Sequence, residues 1–285
     1  MNPILVTGAT GQFGAYIVRE LNRLSLPFDA WGHSRTDAIP GLPVRSVDLL
    51  DSVAVAANFG SPAVVIHAAA IASVAECAKD PARAKNVNVD GTARLVELAA
   101  KKNSRLVFVS TDLVFDGENA PYDETAAPCP LSDYGRTKAA AEQVVLANPM
   151  NCVLRVSLMY GRSLIGMKGF FEEQIKAIRE RRPIVLFEDE WRTPLHAENA
   201  ARAAVALGSS TVLGLLHVGG PKRMSRLEMG HSIANALGLD TSCIVASTRQ
   251  AAGQADTRPK DTSLDSSRFQ AIFPDIRFQA FEKCL

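Results

Sequence analysis

The sequence predicts an α/β protein whose main domain is a doubly wound parallel sheet, followed by a smaller C-terminal lobe. Two observations lead to this fold class. Short β-branched runs alternate with longer segments of helical period through the first two-thirds of the chain, which is typical of a parallel sheet covered by helices on both faces. The glycine-rich segment from Gly8 to Gly14 directly follows the first run and opens the first helical segment, as in a βαβ unit.

Strands are predicted where β-branched and aromatic residues run between turn-forming residues. The predicted strands are Ile4–Thr7, Phe28–His33, Val44–Asp48, Ala63–His67, Arg105–Ser110, Cys152–Val156, Ile184–Phe187 and Leu213–Val218. Helices are predicted where apolar residues recur with a period near 3.6. The predicted helices are Gln12–Leu24, Asp51–Phe59, Ala82–Lys102, Ser132–Ala147, Phe170–Arg182, Ala197–Leu207 and Arg226–Leu237. Residues 248–267 are polar and show no period that predicts an element.

The strand–helix alternation breaks after Val156, and this break divides the chain into two predicted domains. Residues 1–156, with contributions from about 184–218, form the first domain. Residues 157–183 and 219–285 form the smaller second lobe. A chain of 285 residues is long enough to bury a sizeable core.

The composition argues against several classes of function. A net charge of +1, with 47% apolar and 21% charged residues, gives no electrostatic basis for nucleic-acid or membrane binding. No apolar run reaches about 18 residues, and a strand begins at Ile4, so we expect neither a transmembrane helix nor a signal peptide. The five cysteines contain no Cys-x-x-Cys pair, which favours reduced thiols in a cytoplasmic protein over a metal site.

The glycine-rich segment has Gly-x-x-Gly-x-x-Gly spacing between a strand and a helix, which is the context of a Rossmann dinucleotide-binding loop. Glycine lets backbone N–H groups approach a pyrophosphate, which then lies at the positive end of the following helix. A tight strand-to-helix turn without ligand is the alternative. The residues predicted to bind the cofactor here are Gly8, Thr10, Gly11, Gln12, Phe13 and Gly14.

The choice of cofactor is read at the end of the second strand, where an acid favours NAD and a base favours NADP. Asp29 falls at the start of that strand, whereas Ser34 and Arg35 follow its end. A hydroxyl and a guanidinium suit a 2′-phosphate, so we predict NADP, with NAD as the alternative and a solvated Arg35 as the simpler explanation.

Two later strand ends complete the predicted cofactor site. Asp48 and Leu49 close the third strand and could flank the adenine, while the small residues Ala68, Ala69 and Ala70 close the fourth and leave space for the cofactor. His67 precedes these alanines, and we interpret it as a hydrogen-bonded core histidine rather than a catalytic one.

Tyr134 and Lys138 lie four residues apart in a predicted helix, so their side chains share one face. A lysine cation beside a phenol favours the phenolate and lowers the tyrosine pKa from about 10 towards the range of a working proton donor. Any surface helix can carry this pair by chance. The glycine loop and the segment Ser110-Thr111-Asp112, at the end of an apolar run upstream, strengthen the interpretation.

These three motifs, in this order, resemble an extended short-chain dehydrogenase/reductase of the dTDP-4-dehydrorhamnose reductase-like branch, which binds sugar nucleotides. The resemblance spans nearly the whole chain. It is carried by the segments Thr10–Gly14, Ser110–Gly117, Pro121–Glu124, Pro130–Lys138, Leu154–Arg155, Tyr160–Gly161, Arg192–Pro194 and Arg258–Asp265.

The resemblance implies a reductase that transfers a hydride to a ketone on a nucleotide sugar, with Tyr134 as general acid and Lys138 lowering its pKa and binding the nicotinamide ribose. It implies that Thr111 donates a hydrogen bond to the substrate oxygen and that Asp112 orients neighbouring groups. Both could instead cap the loop after the strand. Arg258 would contact a substrate phosphate, or be a solvated residue of the tail.

Asn88 resembles an asparagine that faces the active site in this family, although a surface role on its helix is equally compatible. Two departures affect the substrate pocket. Leu158 stands where the reductases usually carry a tryptophan against the sugar nucleotide, and Val74-Ala75 replaces a Val-Asp pair. The proton relay is untouched, so these departures affect the identity of the substrate and leave the predicted chemistry unchanged.

Two other functions remain open. The first is a nucleotide-sugar epimerase or dehydratase that retains its cofactor. The second is a non-catalytic dinucleotide-binding regulatory subunit, because the regulatory subunit of methionine adenosyltransferase belongs to the same branch. A homodimer is one expectation for the assembly, and the sequence does not identify the sugar or the nucleotide.

Overall fold

The structure is a computed structural model that describes residues 2–33, 39, 41–166 and 169–285. The strands are β1 (Ile4–Thr7), β2 (Phe28–Gly32), β3 (Arg45–Ser46), β4 (Val64–His67), β5 (Arg105–Thr111), β6 (Cys152–Val156), β7 (Met159–Tyr160), β8 (Ile184–Phe187), β9 (Trp191–Arg192), β10 (Leu195–His196), β11 (Gly214–Val218), β12 (Met224–Ser225) and β13 (Ile244–Ser247). The helices are α1 (Gln12–Arg23), α2 (Ser52–Asn58), α3 (Val74–Lys79), α4 (Pro81–Lys85), α5 (Gly91–Lys101), α6 (Asp133–Leu146), α7 (Phe170–Arg179), α8 (Ala197–Gly208), α9 (Arg226–Ala236) and α10 (Ser267–Ile272).

The central sheet has, in the described part of the chain, seven strands in the order β11-β6-β5-β4-β1-β2-β3. The pairs β1–β2, β1–β4, β2–β3 and β4–β5 are parallel. The predicted α/β fold with a doubly wound, mostly parallel sheet is therefore confirmed. Chain order reverses between β1 and β4, so the carboxyl ends of these two strands form the switch point where ligands of such sheets bind.

Burial explains why the central strands carry unbroken apolar runs. All four residues of β1 and all four of β4 are buried, as expected for strands covered on both faces. Their side chains join a core whose largest buried members include Trp31, Leu95 and Phe108.

The chain separates into two compact units. The first comprises Met1–Ser110, Asp133–Arg155 and Ala201–Leu216, and the second comprises Thr111–Ser132, Val156–Ala200 and His217–Leu285. These boundaries differ from the predicted ones chiefly in two places. Residues Thr111–Ser132 belong to the second unit, and the part contributed from beyond residue 184 narrows to Ala201–Leu216, because β8 pairs with β13 instead of joining the central sheet.

The second unit is held by short strand pairs and its own core. The pairs are β7–β10 and β8–β13, which are parallel, and β9–β12, which is antiparallel. Tyr160 is buried between the rings of Phe171 and Phe281, with centroid distances of 5.9 and 4.3 Å. Met229 and Ile233 on α9 complete this cluster.

Several predicted elements differ in extent. Strand β2 ends at Gly32, β3 is reduced to Arg45–Ser46, and α7 ends at Arg179. The predicted helix Ala82–Lys102 is α4 and α5 joined through a π-helical turn, Asn86–Asp90. Helix α3 was not predicted because it has only six residues; its start is capped by Ser73, whose hydroxyl accepts a hydrogen bond from the Glu76 N–H.

The short strands β7, β9, β10, β12 and β13 and helix α10 also lie outside the predicted elements. Across the residues that the structure describes, no helix is long and apolar enough to cross a membrane. The five cysteines are free. No group of three or more His, Cys, Asp and Glu side chains in the same residues is arranged to hold a metal ion.

Candidate active site

The glycine loop lies at the carboxyl end of β1, beside the segment that follows β4. Gly8 has φ +75, and a Cβ there would lie 2.6 Å from the backbone N of Ala69. A Cβ on Gly14 would lie 2.0 Å from the carbonyl oxygen of Gly8. Only glycine fits either position, because the loop packs directly against the backbone that follows β4 and against its own first turn. Such close packing of the loop and the following helix at the switch point is what the glycines of a dinucleotide-binding loop permit.

Helix α1 begins at this loop with a backbone suited to an anion. Its cap residue is Gly11, which supplies no side-chain acceptor, and its first turn contains no acidic residue. Phe13 is buried. The Thr10 side chain packs against Gly32 so closely that a Cβ on Gly32 would lie 2.3 Å from the Thr10 Cγ2 atom. The positive end of a twelve-residue helix is thus directed at the loop, and this cradle fits the pyrophosphate of a dinucleotide.

The other predicted cofactor residues of the first unit follow strand ends on the same edge. Asp48 follows β3, where its carboxylate accepts a hydrogen bond from the Leu50 N–H at 2.9 Å. Leu49 is buried and its carbonyl accepts from Arg94 at 3.0 Å. Ala68, Ala69 and Ala70 follow β4 and are partly exposed.

The choice between NAD and NADP depends on residues that the structure covers only in part. Asp29 lies near the start of β2, where its carboxylate pairs with Arg45 at 3.2 Å, so it does not mark the end of that strand. The predicted 2′-phosphate residues Ser34 and Arg35 lie outside the described residues.

Lys138 is deeply buried on α6, one turn after Tyr134. Its Nζ donates a hydrogen bond to the Val109 carbonyl at 2.6 Å and lies 3.8 Å from the centroid of the Phe108 ring. Burial lowers the pKa of Lys138 to about 7, against the opposing effect of Glu142. An amine with a pKa near 7 can gain and lose a proton at neutral pH. Tyr134 itself is partly exposed.

Glu142, one further turn along α6, belongs to a buried ion pair that the sequence did not single out. Arg155 on β6 donates to both of its carboxylate oxygens, at 2.9 and 2.6 Å, and both side chains are 3% exposed. Helix α6 is therefore joined to β5 through Lys138 and to β6 through Glu142.

His67 lies in the core, as its predicted role requires. It is fully buried, with Nδ1 2.6 Å from the Thr7 hydroxyl and Nε2 2.9 Å from the Thr92 hydroxyl. Burial and, to a lesser degree, the charge of Lys138 lower the pKa of His67 to about 3. The imidazole is therefore neutral at physiological pH.

In the second unit, Thr111, the last residue of β5, and Asp112 form a buried turn. The Thr111 hydroxyl accepts from the Leu113 N–H and donates to Asp112, both at 3.2 Å, so it has the capping role foreseen as an alternative. Asp112 also accepts from Thr262 at 2.8 Å and lies 3.7 Å from Arg192. Burial raises the pKa of Asp112, although Arg192 and the surrounding hydroxyls oppose the shift.

Arg258 is held by Glu190, whose oxygens accept its Nε at 2.8 Å and its Nη2 at 3.2 Å. The same carboxylate lies 3.2 Å from Arg192 and 4.0 Å from Arg226. Burial acts to raise the pKa of Glu190, yet the three guanidinium groups hold it below its ordinary value. We call Glu190, Arg192, Arg226 and Arg258 the arginine cluster.

The arginine cluster was largely missed at the level of sequence. Arg192 was noted only as part of a family segment, and Glu190 and Arg226 carry no local motif. Thr262, which bonds Asp112, lies in the polar tail where no element was predicted. Leu158 packs at the margin of the second unit's core, and its carbonyl accepts from the Leu195 N–H at 2.9 Å.

Comparison with known proteins places this chain among relatives of two kinds. Methionine adenosyltransferase 2 subunit beta of Danio rerio is 30% identical over 99% of this chain and 88% of its own length. A hypothetical dTDP-4-dehydrorhamnose reductase from Sulfolobus tokodaii has a crystal structure with a TM-score of 0.83 at 28% identity, covering 98% of both chains. A dTDP-4-dehydrorhamnose reductase from Bacillus anthracis, solved in complex with NADP, shares the fold with a TM-score of 0.85 at 22% identity, covering 99% of this chain and 96% of that one.

The family comparison agrees with the motifs and with the sheet order. The model described as the RmlD substrate binding domain matches residues 1–284, and therefore essentially the whole chain. By this match, the protein belongs to the RmlD substrate-binding domain family.

Proposed function

We propose that this protein is an NAD(P)H-dependent reductase of a ketone on a nucleotide sugar. The observation that carries the proposal is the state of Lys138: a buried amine, held by the Val109 carbonyl, with a pKa of about 7, one helical turn from Tyr134. A lysine kept only for packing gains nothing from such burial, because desolvation of an ammonium is costly. The glycine cradle in the same unit supports a dinucleotide cofactor.

The proposed chemistry is a two-part addition across the carbonyl. A nicotinamide dinucleotide, when bound, supplies the hydride for the ketone carbon. The Tyr134 hydroxyl gives its proton to the ketone oxygen as general acid, which leaves an alcohol and a phenolate. Lys138 stabilises that phenolate when protonated, and because its pKa is near neutrality it can also return a proton to it.

Residues of the second unit are proposed to hold the substrate. Thr111 would turn its single hydroxyl proton from Asp112 to the ketone oxygen, while Asp112 remains fixed by Thr262. Arg258, with Glu190 orienting its guanidinium, would meet a phosphate of the nucleotide. Leu158 would form the pocket wall beside the sugar.

NADP is the proposed cofactor, with NAD as the alternative, because Ser34 and Arg35 follow β2 in the sequence. A charge-assisted contact to the 2′-phosphate contributes about 1.5–3 kcal/mol, or roughly ten- to a hundredfold in affinity. Arg35→Ala should remove most of a preference for NADPH over NADH in calorimetric titrations. Arg23→Ala, at the far end of α1, serves as the control. Equal affinities in the unmodified protein contradict this choice of cofactor.

The test of the proposed function is a screen of 4-keto nucleotide sugars with NADPH oxidation as readout. Tyr134→Phe should reduce turnover by about 10²–10⁴-fold and leave the Kd for NADPH nearly unchanged, because only a hydroxyl is lost. Tyr16→Phe, in α1, is the matched control and should retain turnover. If the Tyr134→Phe variant retains the turnover of the unmodified protein, the proposed mechanism is contradicted.

A second candidate function is a dinucleotide-binding regulatory subunit. It is favoured by the 30% identity to methionine adenosyltransferase 2 subunit beta. This function predicts that NADPH binds but no nucleotide sugar is reduced, and that the protein forms a stable complex with a catalytic subunit in size-exclusion chromatography. Turnover with any nucleotide sugar favours the reductase instead.

A further inference from the structure

His67 is the centre of a buried hydrogen-bond chain with one direction. The Thr92 hydroxyl donates its only proton to the Asn88 carbonyl at 2.7 Å. It can therefore only accept from His67 Nε2, 2.9 Å away, so Nε2 carries the imidazole proton. Nδ1 of the neutral ring is then an acceptor, and the Thr7 hydroxyl donates to it at 2.6 Å.

The chain continues from Asn88 to the backbone of Tyr134. The Asn88 amide is oriented by the backbone of Ile71, whose N–H donates to Oδ1 at 2.8 Å and whose carbonyl accepts from Nδ2 at 3.1 Å. Nδ2 also donates to the Thr137 hydroxyl at 3.0 Å. That hydroxyl donates to the Tyr134 carbonyl at 2.8 Å.

At its other end the chain reaches the glycine cradle. The Thr7 hydroxyl accepts from the Ala69 N–H at 3.4 Å. Ala69 is the residue whose backbone lies against Gly8, where a Cβ would come within 2.6 Å. Each of the three intermediate hydroxyls, of Thr7, Thr92 and Thr137, donates once and accepts once, and the Asn88 amide uses both of its N–H groups as donors and its oxygen as acceptor. The chain therefore cannot reverse locally without leaving a buried group unpaired.

We propose that His67 is a positioning residue that ties the backbone of the cofactor cradle at Ala69 to the backbone of Tyr134 through Thr92 and Asn88. This inference rests on the proposed function, since it assigns the two ends of the chain to cofactor and acid. His67 touches neither substrate nor cofactor, and it acts through the segments that it holds.

The neutral state of the imidazole supports this role. Protonation would place a second N–H against the Thr7 hydroxyl and force that hydroxyl to turn away. Burial and the nearby Lys138 charge hold the pKa of His67 at about 3, so the direction of the chain is constant through the range in which an enzyme works.

The experiment compares three variants. His67→Phe keeps a ring and removes both hydrogen bonds, and His67→Gln restores a donor and an acceptor. Ser104→Ala is the control, because it removes another buried hydrogen bond of the first unit, from Ser104 to the Pro62 carbonyl, at the opposite, amino end of β5. The readouts are the Kd for NADPH by calorimetry, kcat, and Tm.

We expect His67→Phe to lower kcat by roughly ten- to a hundredfold, as misplacement of a reacting group by about 1 Å does, and to weaken NADPH binding severalfold. His67→Gln should recover most of both losses. Ser104→Ala should lower Tm comparably without changing kcat or Kd. If His67→Phe does not fold, Thr92→Val interrupts the same chain with a side chain of equal shape.

The outcomes separate this inference from the proposed function. If His67→Phe and Thr92→Val lower Tm but leave kcat and Kd within twofold of the unmodified protein, His67 is structural only and the inference is overturned. If the unmodified protein reduces no ketone, the proposed function fails, while the Kd of the variants still decides whether His67 positions the cradle.

Discussion

The two units bury cations in opposite ways. In the first unit Lys138 is surrounded by a carbonyl and an aromatic ring, and its pKa falls to about 7. In the second unit burial lowers the pKa of Arg226 only to about 10, because Glu190 opposes the effect. Burial thus leaves a titratable amine in the first unit and, in the second, a guanidinium that stays charged at neutral pH.

Two causes separate these groups: the ordinary pKa of an arginine lies well above that of a lysine, and Arg226 lies in a cluster built around a carboxylate, whereas the hydrogen-bond partner of Lys138 is a carbonyl. A carboxylate compensates the lost hydration, whereas a carbonyl and a ring do so only in part. This division fits the proposed roles, since proton transfer needs a group that changes charge and recognition of a phosphate needs one that does not.

Replacing Lys138, the buried titratable amine of the first unit, should have the largest effect on turnover. Lys138→Met should reduce turnover by about 10²–10⁴-fold and weaken NADPH binding, because the ammonium is assigned to both. At pH 6 the same variant should gain roughly 2 kcal/mol in the free energy of unfolding. This is the desolvation cost of about 5 kcal/mol for a pKa lowered from 10.5 to about 7, less about 3 kcal/mol for the lost hydrogen bond.

This gain in the free energy of unfolding depends on pH. Between about pH 7 and 10.5 the unfolded chain keeps a proton that folded Lys138 releases, so the unmodified protein becomes more stable as pH rises and the gain disappears. Urea unfolding at pH 6 and pH 10 measures both values. Lys101→Met, on the exposed end of α5, is the control, and a loss of stability at pH 6 contradicts the prediction.

In the second unit, removing the carboxylate should have the opposite effect on stability. Glu190→Gln leaves Arg192, Arg226 and Arg258 around a neutral amide, and breaking a buried ion pair in this way costs about 3–5 kcal/mol. Chemical denaturation measures the loss. Glu188→Gln, at an exposed neighbouring carboxylate, should stay within about 0.5 kcal/mol; equal losses in the two variants would show that the cluster is not the cause.

His67 should contribute measurably to the pH dependence of the free energy of unfolding. Its pKa falls from 6.5 in the unfolded chain to about 3 when folded, so the unfolded state binds the extra proton and stability declines as pH falls below about 6.5. Between pH 6.5 and 4.5 this group alone should account for roughly 2 kcal/mol. His67→Gln should flatten the dependence of the free energy of unfolding on pH, measured by urea unfolding, by that amount, with His231→Gln as the control.

The smallest expected effect concerns the pocket wall. Leu158→Trp adds an aromatic face, worth about 0.5–1.5 kcal/mol, and should strengthen binding of dTDP-4-dehydrorhamnose by roughly two- to tenfold. The unmodified protein should reduce this ketone weakly and prefer another. Steady-state kinetics on both proteins, with Leu158→Met as control, decide the point. Efficient reduction by the unmodified protein would make leucine a neutral replacement.

The sequence predicted the parts of the molecule in which local chemistry determines local structure. The strands Ile4–Thr7, Cys152–Val156 and Ile184–Phe187 were predicted to the residue, because their apolar runs are bounded by turn residues. The π-helical turn after Lys85 was not, since none of the residues Asn86–Asp90 distinguishes such a turn from an α-helical one. The two-residue strands were not predicted because they contain too few positions to show any period.

The residues of the candidate site likewise fall into those that a local motif predicts and those that meet only in the folded protein. The glycine loop, Tyr134 and Lys138 are contiguous motifs and could be recognised directly. The arginine cluster could not, because Glu190 and Arg258 are 68 residues apart and meet only in the folded unit. The chain through His67 likewise joins residues from four separate segments, and no spacing in the sequence indicates it.

The π-helical turn has a consequence for how this sequence tolerates insertions and deletions. Its Gly91 N–H bonds the Asn86 carbonyl, five residues back, so the turn holds one residue more than an α-helix needs. Deleting that residue would give a regular helix with all its backbone bonds satisfied. Thr92 would nevertheless rotate by about 100° relative to the residues before the deletion. The phase of this helix, rather than any single side chain, is therefore the feature that a length change would destroy.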